Sequence, residues 1–363
     1  MQLQVTQENL NKALGIVARV ANTRGTLPVL ANVLIKTVNN RLSIAATNLD
    51  IAITHYIGAK VSEEGAITVP ARLMQDFVNS LPAGVIDLKQ DDYKLNIATD
   101  QYQSVINGVS AEEFPVMPTI TKGKSWTVPA AMLKKSLQQV ILAASGDEAR
   151  PVLTGVYLHT TDGMLYMAAT DSYRLAEKQL LATKDEINLL VPVSAMQDLL
   201  RIVSDMEDDV QITSDEQQVL FRVGDVELVA RLIEGKYPDY RKLIPQKFAT
   251  TATLKRADLL NAAKISSLFA RESAGSITLN VDEATQELSI RSVASQLGEN
   301  TAKANAKVTG GGAITLNSRY LLDALHALSG DEVDFCFNGK LEPSVLKDPA
   351  AKDYVHIIMP LKS

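Results

Sequence analysis

PVLTGVYL, residues 151–158, echoes PVLANVLI, residues 28–35, at an offset of 123 residues. The same offset lays LSIAATNLDIAI (42–53) on LYMAATDSYRLA (165–176), and Phe114 of FPVMP on Tyr237 of YPDYR. A second step of equal length reaches LSIRSVASQLGE (288–299), where the likeness is weaker. Internal repetition decides the architecture before any single element does, because each copy must fold alike. A unit of about 120 residues is a whole domain and too long for one turn of a solenoid.

The helical periodicity carries the same count. VTQENLNKALGIV (5–17), TVPAAMLKKSLQQV (127–140) and TLKRADLLNAAKI (253–265) each place a short polar start before apolar residues three and four apart. VPARLMQDFVNSL (69–81), VPVSAMQDLLRIV (191–203) and LNSRYLLDALHAL (316–328) form a second set. Three repeats with two helices each follow. Between the helices, RLSIAATN, AITVP, VIDLK, YKLNIAT, VQITS and VLFRVG alternate with period two and end in turn-forming pairs, which predicts antiparallel strands. The fold class is therefore α+β, with amphipathic helices covering a sheet face. The pattern lapses at PTITKGKS (118–125) and PQKFATTAT (245–253), which sets expected domains of 1–124, 125–249 and 250–363.

At 363 residues, 46% hydrophobic and 21% charged, the chain reads as a soluble globular protein. No stretch approaches the eighteen or so apolar residues of a membrane span, and no secretory signal is visible, so cytoplasm is the expected location. The lone Cys336 sits in the alternating run DFCFN and reads as a sheet residue.

A net charge of −6 argues against a nucleic-acid partner unless the charges are segregated. They are. The helical stretches 7–20, 71–80, 130–143, 193–203, 256–267 and 318–328 hold nine Lys or Arg against five Asp or Glu, a net of +4 that leaves −10 for the rest. On the first helix Leu10, Leu14 and Val17 make the buried stripe, and Lys12 and Arg19 share the opposite face. On the third, Leu133, Leu137 and Ile141 face in, while Lys135, Gln138 and Gln139 face out. Such faces meet phosphates through long side chains, a salt-sensitive contact that reads no bases.

Catalytic patterns are wanting. PTITKGKS ends like a phosphate-binding loop but begins with Pro118 where the motif needs glycine. His55, His159, His326 and His356 stand singly, so no metal site is expected, and no cofactor either. The acidic doublets fall in predicted turns. TDSYRLA (170–176), YPDYRKLIP (237–245) and the closing HIIMPLKS (356–363) instead combine apolar side chains with Arg or Lys, the composition of a peptide-binding groove.

Arg24-Gly-Thr-Leu-Pro-Val-Leu, VPAR at 69–72, ATDSYRLA at 169–176, YPDYRKLIP at 237–245 and the terminal Met-Pro-Leu together resemble the bacterial DNA polymerase III beta subunit family along the whole chain. That resemblance implies three clamp-type domains per chain and a closed ring made by a head-to-tail homodimer, with helices facing double-stranded DNA. It implies a non-catalytic processivity factor whose partners are the replicative DNA polymerase, a clamp loader and other proteins with clamp-binding motifs, and no membrane.

By position in the family pattern, the client cleft is Leu153, Thr170, Arg174, Leu175, Pro238, Lys242, Leu243, Ile357, Met359 and Pro360, with Arg174 and Lys242 at its rim. The DNA-facing set is Lys12, Arg19, Arg24, Arg72, Lys134, Lys135, Arg150, Arg201, Arg256, Lys264 and Arg319, and the joint between chains is Ile106 against Leu268 and Phe269. The chain departs from the family where Ser172-Tyr173 replaces the usual Gly-His, adding bulk at the pocket rim, and where Lys242 stands for Arg. Two rivals remain at this level: a nucleic-acid enzyme, which would need paired carboxylates on adjacent strands, and a peptide adaptor that binds no DNA.

Overall fold

A computed structural model of the chain describes residues 1–21, 27–204, 206–296 and 298–362. Among the described residues, six α-helices appear at the six expected places. They are α1 (Gln7–Val17), α2 (Ala71–Ser80), α3 (Ala130–Val140), α4 (Val193–Ser204), α5 (Arg256–Phe269) and α6 (Ser318–Ala327). Their starts follow from local chemistry. Thr6 caps α1 by accepting from the Asn9 amide, and Asn317 caps α6 by accepting from the Arg319 amide.

The 123-residue offset holds in three dimensions. In the first copy a short 3-10 turn, Pro28–Ala31, leads into strands β1 (Asn32–Val38), β2 (Arg41–Thr47) and β3 (Ile51–Gly58). In the second, Pro151–Thr154 leads into β4 (Gly155–Thr161), β5 (Met164–Thr170) and β6 (Arg174–Ala182). Proline fixes the first φ of each 3-10 turn, so both first strands begin in the same way.

The turns after β2 and β5 are duplicates down to their hydrogen bonds. Thr47 and Thr170 donate through their hydroxyls to the carbonyls of Ile51 and Arg174, and Asn48 and Asp171 each receive two backbone amides. Both turns put a non-glycine residue at positive φ, Leu49 at 80° in the first and its counterpart Ser172 at 79° in the second.

The chain divides into two compact units, 1–134 with 194–232, and 135–193 with 233–363. In the first, a nine-stranded antiparallel sheet joins β3 to Val226–Arg231 with Ile51 opposite Ala230, and a five-stranded sheet ends in the edge strand Gln103–Asn107. In the second, β6 joins Tyr354–Ile358 with Leu175 opposite Ile357, again within nine strands, and a four-stranded sheet ends in the edge strand Gly298–Asn305. Each large sheet thus draws strands from two successive repeats.

Of the three histidines buried in these sheets, His55 and His356 carry the larger pKa shifts. Burial, reinforced by Lys12, pushes His55 down to about 4, and burial, reinforced by Arg174, pushes His356 down to about 3. Both folded values lie below the ordinary 6.5, so below that pH the unfolded chain binds protons that the folded chain refuses. Stability is full above about pH 6.5 and is lost as pH falls towards the folded values. Each histidine should cost about 2 kcal/mol of stability between about pH 7 and about pH 5. Urea unfolding at the two pH values measures this, with His356→Gln expected to flatten part of the slope. A stability unchanged over that interval would contradict the assignment.

Candidate functional site

Strand β6 supplies the base of the site. Period two sends Leu175 inward, where it joins Leu153, Ala168, Leu190, Tyr237, Tyr240, Cys336, Val345 and Ile357 in one buried cluster. Leu153, Leu175 and Ile357, expected to meet from distant stretches, do meet there. Val152, Ile244 and Phe248 pack against the cluster from its half-buried edge. Tyr237, Tyr240, Val345 and Cys336 are members that the sequence pattern alone does not assign to the site. The two tyrosines were within reach, since they belong to YPDYRKLIP and Tyr237 matches Phe114 in the repeat register.

The short 3-10 helix Tyr240–Leu243 splits its side chains. Tyr240 is buried, whereas Lys242 and Leu243 are exposed, Leu243 by 58%. The exposed pair Lys242 and Asp239 lie 2.6 Å apart, a contact worth little in water. Pro238 is also exposed, and Met359 and Pro360 are half-buried. The terminal segment is held by its backbone, with the Met359 amide donating to the Tyr173 carbonyl and the Leu361 amide to the Thr315 carbonyl, each at 2.8 Å.

Thr170 is buried and its hydroxyl serves the turn. Arg174 differs from a free rim cation. Its Nε lies 3.0 Å from Asp171 Oδ2, its Nη1 lies 2.6 Å from Asp323 Oδ2, and the guanidinium stands 4.5 Å above the Tyr320 ring. With both carboxylates engaged and the side chain 10% exposed, Arg174 fastens β6 to α6 and presents little charge outward.

The basic set divides by exposure. Lys12, Arg72, Lys135, Lys264 and Arg319 are each exposed or half-buried on their helices, and the Nε of Arg19 donates to the Gly15 carbonyl. Arg201 pairs with Asp198 at 2.7 Å, and Arg150 pairs with Asp147 at 2.9 Å and donates to Ser172 Oγ. Lys134 is half-buried and reaches the Ser204 carbonyl. Arg256 donates to the carbonyls of Leu325 and Gly330 at the end of α6, where a cation offsets the negative helix terminus. Arg24 lies outside the described residues. Gln139, expected on the outer face, is buried, because its amide finds the Ala327 carbonyl at 2.8 Å.

At the edge strand Gln103–Asn107, Ile106 points into its own sheet's core at 5% exposure and Val105 points out at 57%. In the other unit Leu268 is 52% exposed, Phe269 is half-buried, and α5 packs on the edge strand Gly298–Asn305. Each unit therefore carries apolar side chains at the surface beside a sheet edge.

Comparison with known proteins matches this arrangement. Models of the DNA polymerase III beta subunit match the N-terminal domain over residues 1–118, the central domain over 127–239 and the C-terminal domain over 241–362. The beta sliding clamp of Synechocystis sp. is 31% identical, covering 100% of this chain and 99% of the relative. The DNA polymerase sliding clamp of Bacillus subtilis superposes with a TM-score of 0.95 at 28% identity, over 100% of this chain and 99% of that one. The sliding clamp of Bartonella birtlesii bound to griselimycin superposes with a TM-score of 0.95 at 28% identity, over 100% of both chains. With three domain models in order along its length, the chain belongs to the DNA polymerase III beta subunit family, the beta sliding clamps.

Proposed function

We propose that two copies of this chain close head to tail into a ring around double-stranded DNA and tether the replicative polymerase and other clients through the cleft built on β6. The protein catalyses no bond change. The observation that carries the reading is the segregation of charge: helices that net +4, with Lys12, Arg72, Lys135, Lys264 and Arg319 reaching solvent, belong to a chain whose remainder nets −10. Positive helix faces hold a polyanion by counterion release, independent of sequence, and an acidic remainder discourages binding elsewhere. A ring need not bind tightly, since it leaves a closed duplex only by opening. Tethering then raises the polymerase's local concentration at the primer end without altering the chemical step.

The domain scheme of this reading is 1–124, 125–249 and 250–363, which agrees with the lapses of periodicity near 118–125 and 245–253. Closure uses unlike edges. The strand Gln103–Asn107 of one copy would face Gly298–Asn305 and the exposed end of α5 in the other, a heterologous contact repeated by a two-fold axis. Griselimycin, bound by the Bartonella birtlesii relative, would occupy the cleft formed by Leu153, Leu175, Leu243, Ile357 and Met359. In keeping with replication in bacteria, the location is the cytoplasm.

Loading onto circular plasmid tests the tether. The protein should co-elute with circular DNA and be lost after one cut with a restriction enzyme. Equal retention on both forms would rule out encirclement and favour ordinary surface binding.

A further inference from the structure

One face of the sheet formed by β4, β5 and β6 holds a connected polar group directly under the segment that bears Lys242 and Leu243. His159 on β4 lies opposite Tyr166 on β5, and Ala168 on β5 lies opposite Glu177 on β6, so alternation brings His159, Tyr166 and Glu177 onto the same side. Tyr240 descends onto them. Its hydroxyl lies 2.6 Å from Glu177 Oε2 and 2.6 Å from His159 Nε2. The next residue, Arg241, places Nε 2.9 Å from the same Glu177 oxygen and its guanidinium 3.9 Å above the Tyr166 ring.

One placement of protons satisfies these hydrogen bonds together. Burial, with Glu177 beside it, pushes the Tyr240 hydroxyl upward, so it keeps its proton and donates to the carboxylate. Burial, with Arg241 nearby, pushes His159 down, so the imidazole is neutral. Its Nε2–H then donates to the Tyr240 oxygen while Nδ1 accepts from the Thr161 hydroxyl at 3.1 Å. One carboxylate, 12% exposed, thus fixes two consecutive residues of a four-residue 3-10 helix. The two residues that follow are the exposed Lys242 and Leu243.

We propose that Glu177, Tyr240 and His159 form a latch that sets the position of Lys242 and Leu243 at the cleft, making Tyr240 and Glu177 positioning residues for client binding. The inference rests on the cleft reading given above. So short a helix has one turn of backbone bonding and cannot hold its own orientation, because helix formation of that length is unfavourable alone. The buried tyrosine and the arginine supply what the backbone lacks. Recognition by a few anchors needs its wall residue held in place before the client arrives, since ordering it on binding subtracts from affinity.

The test is a titration of griselimycin into the full-length dimer, with Leu243→Ala, Tyr240→Phe, Glu177→Gln and the Tyr240→Phe/Glu177→Gln pair. Tyr240→Phe keeps the ring in the apolar cluster and removes only the hydroxyl. It should weaken griselimycin by roughly 10-fold, the effect of leaving buried partners unsatisfied. Hydrogen exchange at the amides of 241–244 should quicken, and retention on circular DNA should be unchanged. The double variant should bind no worse than Glu177→Gln alone, as expected when both changes break one latch. If Leu243→Ala weakens binding while Tyr240→Phe and Glu177→Gln bind like the parent, the latch is overturned and the cleft stands. Parental binding by Leu243→Ala overturns the cleft assignment and the latch with it. A lower melting temperature with unaltered affinity would likewise reduce the network to a role in stability.

Discussion

Leu268→Glu together with Phe269→Glu should convert the dimer into a folded monomer. Leu268 is 52% exposed at the end of α5 and Phe269 is half-buried, so neither change empties the core of its own unit. In a closed joint the two carboxylates would have to leave water with no partner. The cost is several kcal/mol per buried charge, enough to move a micromolar or tighter association out of reach. Val105→Glu on the facing edge should act in the same direction, because that side chain is the outward one on its strand. Ile106→Glu makes a poor control, since Ile106 is buried at 5% exposure and its loss would unfold the edge strand. Sedimentation at micromolar concentration reads the outcome. A double variant that sediments as a dimer would remove α5 from the joint.

The repeat register was legible to the residue because its signals are local. Proline at 28 and 151 starts each 3-10 turn, and matching runs after it, such as IAAT at 44–47 and MAAT at 167–170, set β1 to β3 and β4 to β6 in the same frame. The third copy reads weakly for a physical reason. Its strand Ser276–Asp282 follows Ala274 and Gly275, both at positive φ, in place of a proline-led turn. Pairing across long separations, by contrast, leaves no local trace. The junction of β6 with Tyr354–Ile358 and the grip of Asp323 on Arg174 join residues far apart in the chain, and nothing in local composition selects those partners. Arg174 therefore reads as a rim cation when its charge is engaged inside. Gln139 misleads similarly, because an amide next to an apolar stripe looks solvent-facing until a carbonyl such as that of Ala327 is found for it.

The same distinction between local and long-range structure governs the terminal segment. Deleting Met359–Ser363 should weaken client binding roughly 100-fold while leaving the ring intact. The strand Tyr354–Ile358 that completes the large sheet ends before the cut, so Leu175 keeps Ile357 opposite it and the buried cluster survives. No helix and neither edge strand is touched. What disappears is the Met359 side chain, the Pro360 ring and two backbone bonds, from Met359 to Tyr173 and from Leu361 to Thr315. The first of these pins the turn that holds Ser172 at positive φ, so the rim of the cleft loosens as its wall is removed. Short motifs bind through one or two buried anchors, and losing the surface that buries an anchor costs about 3 kcal/mol, roughly 100-fold in affinity. A fluorescence titration with a labelled peptide from the polymerase C-terminus should show that loss. Retention of the truncated chain on circular DNA and its sedimentation as a dimer should match the full chain. Binding of the peptide as tightly as before would show that clients dock elsewhere than on the terminal segment.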